Sequence, residues 1–243
     1  MKLLIDADYI VYKACAGAEY DIDWGNDVIM VASKYSEAFN NAQRDLKKID
    51  EKFLWDTPTE MILFFSSSVN FRKQVMPAYK GHRNRKKPCG YVKVINELSE
   101  HYQVIRLEGL EADDALGIYA TKHEGNILVS PDKDMRQIPG RLFNMEDTEV
   151  IDPEDGRRWH LVQTLAGDQT DGYSGAPGFG VKTSYKWFDE NGYTWEAVVK
   201  AFESKGLSED TALMNARLAK ILDVNHYDER TQKPILFAPN AST

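Results

Sequence analysis

Cysteine is scarce: Cys15 and Cys89 are the only two among 243 residues, too few and too far apart for a disulfide framework or a thiolate metal site. A reducing, cytoplasmic setting is therefore expected. The five histidines form no cluster that would favour zinc. Long apolar runs are absent as well. No stretch approaches a membrane span, and the start, one lysine and then Leu3, Leu4 and Ile5 before Asp6, does not make a signal peptide. Nor is any long segment purely polar or repetitive, so the chain should be globular apart from a loose tail over 238–243. Positive charge is in deficit, with a net charge of −8, which taken as a sum argues against a phosphate-binding protein.

The distribution of charge says otherwise. Between Phe71 and Pro88 stand seven basic residues, Arg72, Lys73, Lys80, Arg83, Arg85, Lys86 and Lys87, and no acid. Such a segment is either a solvated loop or a strip that meets phosphates.

Three short apolar runs have the length and bounding of buried strands: Lys2 to Ile5, Met61 to Phe65 and Asn126 to Val129. A fourth, Val104 to Leu107, precedes an acidic helix start. Helical patterns cover roughly Val28 to Phe53, Tyr91 to His101 and Asp113 to Lys122. From Trp159 onward the texture becomes helix and turn: Trp159 to Ala166, a glycine-rich stretch Gly167 to Gly180, then Lys182 to Phe188, Trp195 to Ser204 and Ser208 to Leu222. Strands alternating with helices predict an α/β fold with a mostly parallel central sheet flanked by helices, whose strand carboxyl ends form the ligand site.

Nine carboxylates follow or flank those strand ends: Asp6 and Asp8 in LLIDAD, Glu111, Asp113 and Asp114 in LEADDALG, Asp132 and Asp134 in SPDKD, and Asp168 and Asp171 in GDQTDG. Singly each has a structural explanation, as a helix cap, a dipole partner or a turn residue. Gathered at one sheet edge they would repel one another unless cations intervened, and hard oxygen donors suit Mg²⁺ or Mn²⁺. Two such ions suit in-line displacement at phosphorus, which points to phosphodiester hydrolysis. In PAYKGHRNRKKP, Lys80 and Arg83 would share a face if the segment becomes helical, and could hold the scissile phosphate, with Tyr79 offering a ring to an end base. In GAPGFGVKT, Gly175, Gly178 and Gly180 open a helix near Lys182 and could present backbone amides to a DNA backbone.

The ordered set LLIDAD, FRKxxxPAYKGHR, LEADDALG, SPDKDMRQIP and GDQTDGYSGAPGFGVKT resembles the 5′ nuclease or flap-endonuclease family, most of all the 5′→3′ exonucleases of tailed bacteriophages, over about Lys2 to Trp187. The resemblance implies a PIN-like nuclease core over 1–155 with a basic helical arch at about 71–91. It also implies a helical C-terminal region over 156–243, with a helix-turn-helix clamp at about 167–188 that holds duplex DNA and a K⁺ ion. Two divalent metal ions are implied, the first with Asp6, Glu111, Asp113 and Asp114, the second with Asp132, Asp134, Asp168 and Asp171, while Lys80 and Arg83 match the arch residues on the scissile phosphate. Partners would be DNA ends, flaps or nicks, or an RNA–DNA hybrid, in phage replication. One position departs from the family pattern: an aspartate expected after the Met61 to Phe65 strand is replaced within Ser66, Ser67 and Ser68, with Ser67 the nearest equivalent, and Asp8 is expected to compensate.

Two other readings use part of the same residues. A haloacid-dehalogenase-type phosphatase would make Asp6 the nucleophile, but leaves Glu111, Asp132, Asp134 and the basic segment without a role. A DNA-binding relative without chemistry would account for the serine.

Overall fold

The computed structural model describes residues 1–54, 60–83 and 86–239. Its centre is a six-stranded sheet in the order Gln103–Ile105, Glu60–Phe64, Lys2–Asp6, Ile127–Val129, Gly140–Phe143, Thr148–Ile151. The strands are β1 (Lys2–Asp6), β4 (Glu60–Phe64), β5 (Gln103–Ile105), β6 (Ile127–Val129), β7 (Gly140–Phe143) and β8 (Thr148–Ile151). All neighbours pair in parallel except β7 and β8. Alternation along the central strands explains why both faces bury. Leu3, Ile5, Leu63, Phe65, Ile127 and Val129 enter a core with α1 (Ala7–Ala16), α2 (Tyr35–Phe53) and α4 (Tyr91–His101). Leu4, Ile62, Phe64 and Leu128 face the opposite way, against Ala112, Ala115 and Leu116 of α5 (Ala112–Lys122). Such two-sided burial makes the strands read as continuous apolar runs.

Beyond the sheet, α6 (Pro153–Ala166), α7 (Val181–Asn191), α8 (Trp195–Glu203) and α9 (Glu209–Ala219) close over a further core of Trp159, Leu165, Phe188, Val198 and Phe202. Between α6 and α7 the chain makes a small hairpin, β9 (Gly167–Asp168) with β10 (Tyr173–Ser174). A short hairpin, β11 (Tyr227–Asp228) with β12 (Lys233–Pro234), follows α9. Among the described residues no helix is long and apolar enough to cross a membrane.

Several boundaries differ from expectation. The helix expected from Val28 begins only at Tyr35, because Ile29–Ser33 is a strand, β3, paired antiparallel with β2 (Glu19–Asp23). Left-handed φ values at Gly25, Asn26 and Asp27 make the turn, and the run Val28, Ile29, Met30, Val31 favours a strand over a helix. Helix α6 starts at Pro153, six residues before Trp159, because Asp152 accepts the Glu154 amide at 2.8 Å and proline occupies the first helical turn. Strands β7 and β8 carried too little periodicity to be expected. Among the described residues of the basic segment, helix is confined to α3 (Arg72–Val75), and 77–82 runs through turns, with Lys80 at φ 53°, where Pro77 and Gly81 disfavour helix. Arg85 lies outside the described residues.

Candidate active site

Parallel pairing sets Asp6 level with Phe64 and Ile5 level with Val129, so the chain leaves β1, β4 and β6 on the same side of the sheet. There Ser130, fully buried, donates to Asp6 Oδ2 at 3.0 Å and accepts the Asp132 amide at 3.1 Å, tying the SPDKD turn to β1. The hydroxyl of Ser66 accepts the Ala112 amide at 3.0 Å, seating the start of α5 on the end of β4. The hairpin β9–β10 delivers Asp168 and Asp171 from the other side.

The result is a cavity of about 210 Å³ lined by Glu111, Asp113, Asp132, Asp134, Asp168 and Asp171 together with Lys80, Arg83 and Lys133. Asp6 lies in the adjoining cleft with Asp132 and Lys133. Seven of the nine expected carboxylates thus converge. Their crowding shows in their acidity. Burial, then the charges of Asp8 and Asp132, pushes Asp6 up to about 7. Burial and Asp132 raise Asp134 to about 7. Asp113 is raised well above the usual range by burial and by Asp6, Asp132 and Glu111. Its Oδ1 is buried without a hydrogen-bond partner among the described residues. A buried carboxylate oxygen in that position asks for a proton or a cation.

The basic residues answer part of that demand. Lys80 bonds Glu111 and lies 3.6 Å from Asp171, and Arg83 donates to Asp171 Oδ1 at 2.7 Å and to the Thr170 carbonyl at 2.9 Å. Burial would raise Glu111, but the charges of Lys80 and Arg72 prevail and hold it at about 2. Lys133 reaches Asp168 at 4.0 Å. With Glu111 and Asp171 turned to these cations, no three acids, histidines or cysteines among the described residues stand as a finished ligand set. The donors are nonetheless oxygen-only, which fits Mg²⁺ or Mn²⁺ rather than zinc.

Five of the expected site residues have other partners in the structure. Asp114 is fully buried, with both oxygens held by Arg72 at 2.7 and 2.8 Å, so it anchors the fold and does not face the cavity. Arg72, 1% exposed, also bonds the carbonyls of Leu218 and Lys220, which removes it from any nucleic-acid surface. Tyr79 is likewise 1% exposed, its hydroxyl donating to Asp171 at 2.6 Å and lying 3.1 Å from Glu111, so its ring is not open to a base. Asp8 uses one oxygen on the Ser66 amide and the other on the Tyr91 hydroxyl and braces the β4 junction instead of joining the cavity. A Cβ at Gly175 would sit 2.2 Å from the Leu165 carbonyl oxygen, so this glycine serves close packing against α6.

Ser67 does not line the cavity or the adjoining cleft; its hydroxyl donates to Glu108 at 3.3 Å. Lys73, Lys86, Lys87 and Lys182 are exposed, as are Gly178 and Gly180, where an added Cβ would meet nothing within 4 Å. Gly178 has φ 85°, a turn conformation that favours glycine, and the Gly180 amide donates to Thr183 Oγ1 at 2.7 Å at the start of α7. Ser130, Lys133 and the buried Gln163 and Gln137 were missed by sequence reasoning. Lys133 sits inside the SPDKD motif and was within reach; the glutamines have no motif at all.

A family model described as the 5′-3′ exonuclease, N-terminal resolvase-like domain, matches residues 1–159. The exodeoxyribonuclease of Enterobacteria phage T3 is 27% identical over 98% of this chain and 93% of its own length. The exonuclease of Escherichia phage T7 is 28% identical over the same shares. Among solved structures, the bacteriophage T5 flap endonuclease in a complex with DNA and metal ions superposes with TM-score 0.65 at 18% identity, covering 90% of this chain and 88% of that one. The sheet and its carboxylate edge define a nuclease core. The chain belongs to the 5′-3′ exonuclease family.

Proposed function

We propose that the chain is a divalent-metal-dependent 5′ nuclease that hydrolyses phosphodiester bonds of DNA at duplex ends, nicks or flaps. The observation that carries this is the convergence of Asp6, Glu111, Asp113, Asp132, Asp134, Asp168 and Asp171 on one sheet edge beside Lys80 and Arg83. The buried, unpartnered Asp113 Oδ1 and the raised acidities around it fit bound cations. Asp6, Glu111 and Asp113 would hold one ion, and Asp132, Asp134, Asp168 and Asp171 would hold a second. When bound, Mg²⁺ or Mn²⁺ supplies the Lewis acidity that activates water and offsets charge on the leaving oxygen.

The chain's own residues supply position and charge. Lys80 and Arg83, already at the cavity, stand where a phosphate could exchange for their carboxylate partners, and their fixed charge would stabilise the charge that develops at phosphorus. Ser130 orients Asp6, and Tyr79 orients Asp171 through a phenol that burial keeps protonated. Lys73, Lys86, Lys87 and Lys182, with the open turn at Gly178 and Gly180, offer contacts to the DNA backbone, which position the duplex without reading its sequence. The name of the phage T3 relative, exodeoxyribonuclease, supports DNA as substrate, with an RNA–DNA hybrid as the comparison substrate, and phage DNA replication is the setting proposed.

The test is a time course on 5′-labelled and 3′-labelled duplex, resolved on a denaturing gel, with Mg²⁺ or with chelator, for the wild type and Asp132→Ala. Short 5′-labelled products that require both the metal and Asp132 are expected. Retained DNA binding without cleavage by the wild type would leave a binding protein, and phosphorylation of Asp6 by small phosphate esters would favour the phosphatase.

A further inference from the structure

Asp134 stands in the 3-10 turn Lys133–Gln137, an element too short to fix a carboxylate by packing alone. Its backbone amide donates to Asp132 at 2.9 Å, and its Oδ1 accepts a hydrogen bond from Gln163 Nε2, which projects from α6. Gln163 Oε1 accepts in turn from Gln137 Nε2 at 2.7 Å. Gln137 Nε2 also donates to the Ala219 carbonyl at 2.6 Å, and Gln137 Oε1 accepts the Ile221 amide at 3.0 Å. Both glutamines are about nineteen-twentieths buried, at 4% and 5% exposure.

The direction of this chain of bonds is not free. A primary amide can be turned end for end, and only its partners decide which end is which. The Ile221 amide can only donate and the Ala219 carbonyl can only accept, so together they fix Gln137 with its oxygen toward Ile221 and its nitrogen toward Ala219 and Gln163. Gln163 must then present oxygen to Gln137 and nitrogen to Asp134. The backbone at the end of α9 and just beyond it thereby dictates, through two side chains, that Asp134 meets a donor on Oδ1.

We infer that Gln163, oriented by Gln137, is the positioning residue that aims Asp134 for a divalent cation in the cavity. This rests on the nuclease reading given above. Hydrogen bonds to ligating carboxylates typically set metal affinity by about 10- to 100-fold, because an unheld carboxylate must lose rotational freedom when it coordinates. The same link registers Asp134 against the C-terminal helices, so a ligand supplied by the sheet half is aimed by the helical half.

The experiment compares wild type with Gln163→Leu and Gln163→Met, which keep similar volume and lack the amide. The Mg²⁺ concentration for half-maximal cleavage is measured with saturating duplex. Mn²⁺ binding without DNA is followed by electron paramagnetic resonance, and thermal melting reports folding. We expect both variants to melt cooperatively, to need about 10- to 100-fold more Mg²⁺ and to bind Mn²⁺ correspondingly more weakly, with KM for DNA little changed and kcat recovered at high Mg²⁺. Folded variants whose Mg²⁺ requirement and Mn²⁺ titration match the wild type would overturn the positioning role, as would a lower melting temperature with unchanged metal titrations, which marks a structural role only. If the wild type itself neither cleaves nor binds Mn²⁺, the nuclease reading fails first and the inference with it.

Discussion

Replacing Arg72 by methionine separates a structural guanidinium from a DNA-binding one. Arg72 and Asp114 are 1% and 0% exposed and share two hydrogen bonds of 2.7 and 2.8 Å, while Arg72 also serves the Leu218 and Lys220 carbonyls at 2.9 and 2.6 Å. Without the guanidinium, Asp114 keeps only the weaker donations from the Leu222 and Glu111 amides, each at 3.2 Å. Breaking one side of a buried ion pair costs about 3–5 kcal/mol, because the remaining charge stays desolvated. For a chain of this size that is a fall in melting temperature of roughly 6–20 °C. The assay is urea and thermal unfolding of Arg72→Met, with Lys73→Met, an exposed neighbour, as control. Arg72→Met/Asp114→Leu should regain part of the loss, since removing both charges leaves none stranded. A single variant within about 1 kcal/mol of wild type, or a double variant no better than the single, would refute the structural assignment; weakened DNA binding at unchanged stability would restore the original expectation.

Lys80→Ala should lower cleavage by about 10²–10³-fold with little change in melting temperature, as read by single-turnover kinetics; a loss smaller than tenfold would remove Lys80 from phosphate stabilisation. Gly175→Ala should destabilise by at least about 1–3 kcal/mol, because its Cβ would lie 2.2 Å from the Leu165 carbonyl oxygen; a variant melting like wild type would contradict that packing. His160, whose pKa burial lowers to about 3, stays neutral in the fold while the unfolded chain takes up a proton below about 6.5. Its contribution is therefore fully present above pH 6.5 and fades as pH falls toward 3, by about 2 kcal/mol on going from pH 7 to pH 5, and His160→Gln should flatten that part of the stability profile. DNA binding should weaken steeply with salt, with a log–log slope that becomes shallower by about one for each of Lys86 and Lys87 changed to alanine; an unchanged slope would move the backbone contacts elsewhere.

The central parallel strands β1, β4 and β6 were legible because burial on both faces leaves unbroken apolar runs, as in Leu3, Leu4, Ile5 and in Ile127, Leu128, Val129. Convergence of Asp6 and Asp132 then followed from parallel pairing, since β1 and β6 end at the same edge, whereas Asp168 and Asp171 arrive on the hairpin β9–β10. The β2–β3 hairpin was illegible for the opposite reason. Its residues Ile29, Met30 and Val31 are more than half exposed, so no burial periodicity separates them from the amphipathic helix that follows. Lys80 and Arg83 were found by charge, but their meeting place was not, because a left-handed Lys80 directs the chain toward Asp171 and a helical spacing would not.

What spacing cannot decide is which of two adjacent acids faces the chemistry. Asp113 and Asp114 stand side by side in the first turn of α5, both suited to the positive end of the helix dipole, and in sequence they are equivalent. One residue along a helix is a rotation of about 100°, enough to place one carboxylate in the cavity and its neighbour in the protein interior. Asp113 goes to the side where Asp6, Asp132 and Glu111 raise its acidity constant and where its Oδ1 finds no protein donor. Asp114 goes to the side where Arg72 bonds both of its oxygens. The difference is set by the partner each rotation meets, and that partner comes from a segment about forty residues away whose basic character alone suggested nucleic acid. A cation found by composition is therefore assigned only when its buried counter-ion is known: Arg72 is held by Asp114, and Lys80, eight residues on and 22% exposed, is the cation we propose for the phosphate.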